Sequence, residues 1–124
     1  MATLTHKYPE VKNYIAGELT ANGQQRMDVH SPLDGSVIST VPLSTASDLD
    51  KAVRAAEAAF PAWSGTPIKE RVQIFFRYRE LLVKHRNELA TLVHAENGKT
   101  MDESIAEVEK SIELTEFACS MPQL

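Results

Sequence analysis

The 124 residues predict an α/β chain, a short antiparallel β-meander followed by three to four α-helices. Up to about residue 44, apolar and polar residues alternate in short runs between turn formers, the period of half-buried strands. From Thr45 onward apolar residues recur every three to four positions, and capping and stop signals cut that pattern into helices. The length allows at most one ordinary domain with a core of its own.

The charge balance excludes some partners. Net charge is -4, with acidic and basic residues interspersed, so no basic face invites nucleic acid or an anionic membrane. No apolar run approaches the roughly 20 residues that span a bilayer. The first ten residues are polar and lack the apolar core of a secretory signal. A single cysteine, Cys119, cannot form an internal disulfide. The expected compartment is the cytoplasm, or the mitochondrial matrix if the source is eukaryotic.

Residues 1–12 read as a flexible tail. A strand begins at Asn13, with Ala16-Gly17 as a turn, and Asn22-Gly23 is a stronger turn signal because both residues tolerate positive φ. Residues 27–30 alternate apolar and polar. Pro32-Leu33-Asp34-Gly35 then reverses the chain into residues 37–41, bracketed by Pro32 and Pro42.

Ser47 and Asp50 have capping-box spacing, and Asp48 adds negative charge at the same helix start. Leu49, Val53, Ala56 and Phe60 make the apolar stripe, and Pro61 is expected to end the helix. Its many alanines suggest close approach to another element. Thr66 as N-cap and Pro67 at the first helical position restart the pattern. A break is expected at His85-Arg86-Asn87, with Asn87 capping a shorter helix that stops at Gly98. Thr100 and Glu103 form a second capping box. It opens a helix striped by Met101, Ile105, Val108, Ile112, Thr115 and Cys119, and Pro122 stops it. A lone meander under helices would leave one face bare, so exposed apolar surface is expected.

No constellation here can carry out a reaction. Cys119 falls on an apolar helix stripe, where a buried, inert thiol is expected. His6, His30, His85 and His94 have no metal-ligand spacing with a third donor. Glu109, Glu113 and Glu116 share a helix face, but neighbours on a solvated face cannot act as acid and base across one bond. Asn97-Gly98-Lys99-Thr100 looks like the end of a phosphate loop, yet the upstream glycine is missing and Val93 stands there.

Several motifs, taken in order, resemble the N-terminal portion of the aldehyde dehydrogenase superfamily. They are Tyr14-Ile15-Ala16-Gly17-Glu18, Ser31-Pro32-Leu33-Asp34-Gly35 with Val37-Ile38, the run AVRAAEAAFPAW from Ala52 to Trp63, Arg71 through Leu82, and Glu96-Asn97-Gly98-Lys99-Thr100 followed by Glu107-Val108. The end, Ser111-Ile112-Glu113 and then Glu116-Phe117-Ala118-Cys119-Ser120-Met121-Pro122, resembles the CoA-acylating methylmalonate (malonate) semialdehyde dehydrogenase branch.

The resemblance implies that residues 13–124 are the first segment of a Rossmann-type NAD-binding domain, with the catalytic domain absent. It implies an oxidoreductase that uses NAD to oxidise a carboxylated semialdehyde to an acyl-CoA, as a homodimer or homotetramer when complete. The nucleophilic cysteine, the general base and the NAD-binding loops of that family lie downstream, so no catalytic or cofactor-binding residue is expected here. Two residues inherit an expectation. Lys110 stands where the branch has an arginine facing the substrate carboxylate; lysine offers a point charge in place of a bidentate grip. Glu96 stands at a monovalent-cation site that also uses carbonyls near Val29 and His30, since hard cations prefer oxygen. A non-acylating NAD(P) aldehyde dehydrogenase segment and a non-catalytic helical interaction module are the alternatives.

Overall fold

Local turn chemistry shapes the first part of the chain. In the computed structural model, which describes residues 6–20 and 25–124, Ala16 and Gly17 both adopt positive φ, 54° and 86°. A two-residue hairpin needs that conformation twice in succession. It joins β1 (Asn13–Ile15) to β2 (Glu18–Thr20), with Tyr14 opposite Leu19. The turn expected at Asn22-Gly23 lies outside the described residues.

The next reversal lies within loop 31–36. Asp34 Oδ1 accepts from the Ser36 amide at 3.0 Å and from its hydroxyl at 2.7 Å. Gly35 turns back at φ 73° and donates its amide to the Ser31 carbonyl at 2.8 Å. The loop connects β3 (Arg26–His30) to β4 (Val37–Pro42) in antiparallel register, irregular between Val29 and His30.

The strands therefore form two separate pairs rather than the single meander expected from their order. The edge of β4 takes a further partner. The Tyr8 amide donates to the Ile38 carbonyl at 2.9 Å and the Val11 amide to the Thr40 carbonyl at 2.8 Å. Residues 8–11 thus hydrogen-bond to β4, and Ser39 adds a 2.6 Å bond to the Pro9 carbonyl. Part of the expected tail is tied down by these bonds and by an Arg26–Glu10 ion pair at 3.0 Å.

The first helix, α1 (Ala46–Gly65), is capped at Thr45, two residues before the predicted cap Ser47. Asp48 Oδ2 accepts from the Thr45 amide and hydroxyl at 2.9 and 2.8 Å, and the Asp48 amide returns a 3.3 Å bond to Thr45 Oγ1. This reciprocal pair displaces Ser47 and Asp50 from the role, and Asp50 instead pairs with Arg54 at 2.9 Å. Pro61 lies inside α1 and does not end it. Proline removes one amide, the one that would otherwise bond to the carbonyl of Glu57, an exposed residue. The helix stops at Gly65, because Thr66 precedes Pro67 and is steered away from helical geometry. The stripe Leu49, Val53 and Phe60 is exposed, as are Ala56, Ala58 and Ala59, while Ala52 and Ala55 are half-buried.

The chain divides into two compact units, 1–63 and 64–124. In the first, Ile38 and Ser39 of β4 are buried with Ser31 and Asp48. The second is a three-helix unit. It holds α2 (Ile68–Lys84), α3 (Arg86–Asn97) and α4 (Met101–Ser120), followed by a 3-10 turn at Met121–Gln123. The break between α2 and α3 falls at His85, which occupies the N-cap position expected of Asn87. Pro67, not Thr66, takes the N-cap position of α2. α4 packs on both α2 and α3. Its core is made of Val72, Leu82, Ala90, Ala95 and Val108, with Ser104 fully buried and its hydroxyl bonded to the Thr100 carbonyl at 2.8 Å. Small side chains at Ala90, Ala95 and Ser104 suit closely approaching helices.

Candidate functional site

The junction at Gly98 has the local geometry its residues dictate. Gly98 adopts φ 79° and donates its amide to the His94 carbonyl at 3.0 Å, closing α3 in a left-handed cap. His94 Nδ1–H donates to the Lys99 carbonyl. Thr100 then opens α4: Glu103 Oε2 accepts from the Thr100 amide at 3.0 Å and its hydroxyl at 2.8 Å, and the Glu103 amide donates back at 3.3 Å. These bonds to the Thr100 amide and hydroxyl hold the Glu103 carboxyl below the usual carboxylate range.

The same bonds settle the phosphate-loop likeness. The amides of Gly98 and Thr100 are consumed within the turn, and Asp102 and Glu103 put two carboxylates on the first turn of α4. A phosphate would meet like charge where it needs donors.

Lys110 lies on an exposed face of α4, its side chain 67% accessible, and its Nζ pairs with Glu113. The glutamates around it are not a uniform solvated row. Glu109 pairs with Arg86 and Glu107 with Lys99, while Arg79 Nε and Nη2 reach Glu116 at 2.9 and 2.6 Å. Sequence reasoning missed these inter-element pairs. Nothing local marks them, since the partners lie 8 to 37 positions apart.

Glu96 is exposed near the end of α3 and belongs to the second unit, whereas Val29 and His30 belong to the first. Among the described residues no group of three or more His, Cys, Asp or Glu is placed to hold a metal ion. Cys119 is half-buried rather than fully so. It lies near the C-terminus of α4 and lines a shallow groove with Phe76, Arg79, Glu80 and Glu116. His30 bonds to the Gly35 carbonyl and His85 to Glu88, so both serve local turns and caps. No described helix is long and apolar enough to cross a membrane.

The family model for the aldehyde dehydrogenase family matches residues 19–124. The chain belongs to the aldehyde dehydrogenase family. Over 115 residues it is 45% identical to malonate-semialdehyde dehydrogenase 1 of Geobacillus thermodenitrificans, covering 92% of this chain and 24% of that protein. Among solved structures it resembles methylmalonate-semialdehyde dehydrogenase from Oceanimonas doudoroffii, with TM-score 0.89 and 30% identity over 94% of this chain and 24% of that one. It also resembles an NAD-dependent benzaldehyde dehydrogenase from Corynebacterium glutamicum, with TM-score 0.86 and 31% identity over 91% and 25%. The chain thus spans about a quarter of the length of these relatives. In family terms the Gly98–Thr100 junction orients α4, the helix that carries Lys110.

Proposed function

We propose that this chain supplies the N-terminal segment of an NAD-dependent, CoA-acylating malonate- or methylmalonate-semialdehyde dehydrogenase. The observation that carries the reading is 45% identity over 115 residues to a malonate-semialdehyde dehydrogenase. The role of the segment is structural and positional. Its capped helices form a scaffold on which Lys110 is held at an exposed position, paired with Glu113.

Lys110 is the residue proposed to meet the substrate carboxylate. An ammonium attracts a carboxylate as a point charge without fixing its orientation, so recognition here would be looser than an arginine fork provides. Glu96 is the proposed side-chain ligand for a monovalent cation in the intact enzyme, an exposed carboxylate with no ion-pair partner among the described residues. NAD and coenzyme A would be bound by residues beyond this segment. The turn at Gly98 offers NAD phosphates no free amide from Gly98 or Thr100, since both are bonded within it. The proposed setting is the cytoplasm, with the complete enzyme a homodimer or homotetramer.

A second reading is a non-acylating aldehyde dehydrogenase. It is favoured by the benzaldehyde dehydrogenase, which matches this chain as closely in identity as the methylmalonate-semialdehyde enzyme does. Product analysis of the intact enzyme decides between them. Malonate semialdehyde, NAD and coenzyme A should give an acyl-CoA; a free acid formed at undiminished rate without coenzyme A would sink the first reading.

A further inference from the structure

Glutamates stand at positions 107, 109, 113 and 116 of α4, and each is met by a different cation. Lys99 pairs with Glu107, Arg86 with Glu109 and Arg79 with Glu116. Those cations come from the turn before α4, from the start of α3 and from α2, so each pair ties α4 to another element. Lys110 and Glu113 are different. Both lie on α4 itself, three residues apart and hence on one face, with side chains 67% and 61% accessible. Neither makes another ion pair among the described residues. Their pair joins no two elements, so the packing of the helices does not depend on it.

That isolation bears on carboxylate recognition. An ammonium with one carboxylate against it presents little net charge to a second. A substrate carboxylate brought to Lys110 must share the ammonium, against repulsion from Glu113, or replace Glu113. Replacement is the easier course. Glu113 is exposed enough to turn into water, and an exposed pair is favoured only up to about fivefold. Glu107, Glu109 and Glu116 do not compete in this way, because each is held by a cation from another element.

We propose that Glu113 is a built-in competitor for the substrate carboxylate at Lys110. It occupies the ammonium when the site is empty and leaves when a carboxylated aldehyde takes its place. The pair thereby sets how strongly carboxylated aldehydes are preferred over uncharged ones. This role rests on the assignment of Lys110 to the substrate carboxylate, and it makes Glu113 a specificity-determining residue.

Steady-state kinetics of the intact enzyme test it, with malonate semialdehyde and an uncharged aldehyde of similar length. Glu113→Gln keeps the shape of the side chain and removes its charge. It should lower the ratio of the first KM to the second by about two- to fivefold. In a Lys110→Ala background the same substitution should leave the ratio unmoved, because Glu113 acts only through the ammonium. An unchanged ratio in Glu113→Gln, while Lys110→Ala raises it, would overturn the proposal and leave the assignment of Lys110 standing. An equal fall with and without Lys110 would overturn it as well, by showing general repulsion between Glu113 and the substrate. So would a higher ratio in Glu113→Gln, the mark of a carboxylate that orients the lysine. A ratio untouched by Lys110→Ala would remove the assignment and the proposal together.

Discussion

Arg79 of α2 donates twice to one oxygen of Glu116 of α4, from Nε at 2.9 Å and from Nη2 at 2.6 Å. The contact ties the middle of one helix to the last part of another, on a surface where both side chains are 40–49% accessible. Water and salt screen such a pair. A double-mutant cycle with Arg79→Ala and Glu116→Ala should therefore give a coupling of only about 0.2–1 kcal/mol, smaller at high salt. A coupling of several kcal/mol would show that the pair is far more desolvated than its exposure indicates.

The capping box at Thr100 carries a larger share of local stability. Thr100→Ala removes both the acceptor for the Glu103 amide and a donor to its carboxylate. The expected loss is roughly 1 kcal/mol, a fall of about 4–8 °C in Tm for a unit of this size. Thr100→Ser should recover most of it. Thermal unfolding followed by circular dichroism measures both.

Glu103 also makes that helix start sensitive to acid. Its folded pKa is lowered by the bonds from Thr100, so the folded state binds fewer protons than the unfolded state below the ordinary carboxyl range. Its contribution is present above the unfolded value and is lost as pH falls through the folded one. Asp34, lowered by its bonds from the Ser36 hydroxyl and amide, acts with the same sign in the first unit. Glu103→Gln should flatten the acid limb of a Tm-against-pH profile. An identical profile in the variant would contradict the assignment.

Lys110 is predicted to discriminate by substrate charge. In the intact enzyme Lys110→Ala should raise KM for malonate semialdehyde by about tenfold and leave an uncharged aldehyde of similar length unaffected. Lys110→Arg should keep or improve the carboxylated substrate. Equal effects on both aldehydes would assign the lysine to the helix surface, where Glu113 already pairs with it.

Features fixed by three or four neighbouring residues were legible in the sequence. Gly98 and the Thr100–Glu103 box appear where their spacing places them, because both ends of each hydrogen bond lie within one helical turn. The same rule explains the miss at α1. Thr45 with Asp48 and Ser47 with Asp50 have the same spacing, and only the fold selects between them. Pro61 was misread because an exposed helix tolerates one missing amide. The bonds from residues 8–11 to β4 were not legible, since the partners lie some thirty positions apart. Around Lys110, its place on α4 could be read from periodicity. The Arg79, Arg86 and Lys99 pairs that occupy the surrounding glutamates depend on helix packing, which one sequence does not display.

Segment exchange tests the central claim most directly. Grafting this chain in place of the corresponding 115 residues of the Geobacillus malonate-semialdehyde dehydrogenase should give an enzyme that makes acyl-CoA from malonate semialdehyde. Its rate with NAD and coenzyme A should stay within roughly tenfold of the parent, a change of about 1.4 kcal/mol in the barrier. A chimera that folds and binds NAD yet forms no acyl-CoA would contradict the account.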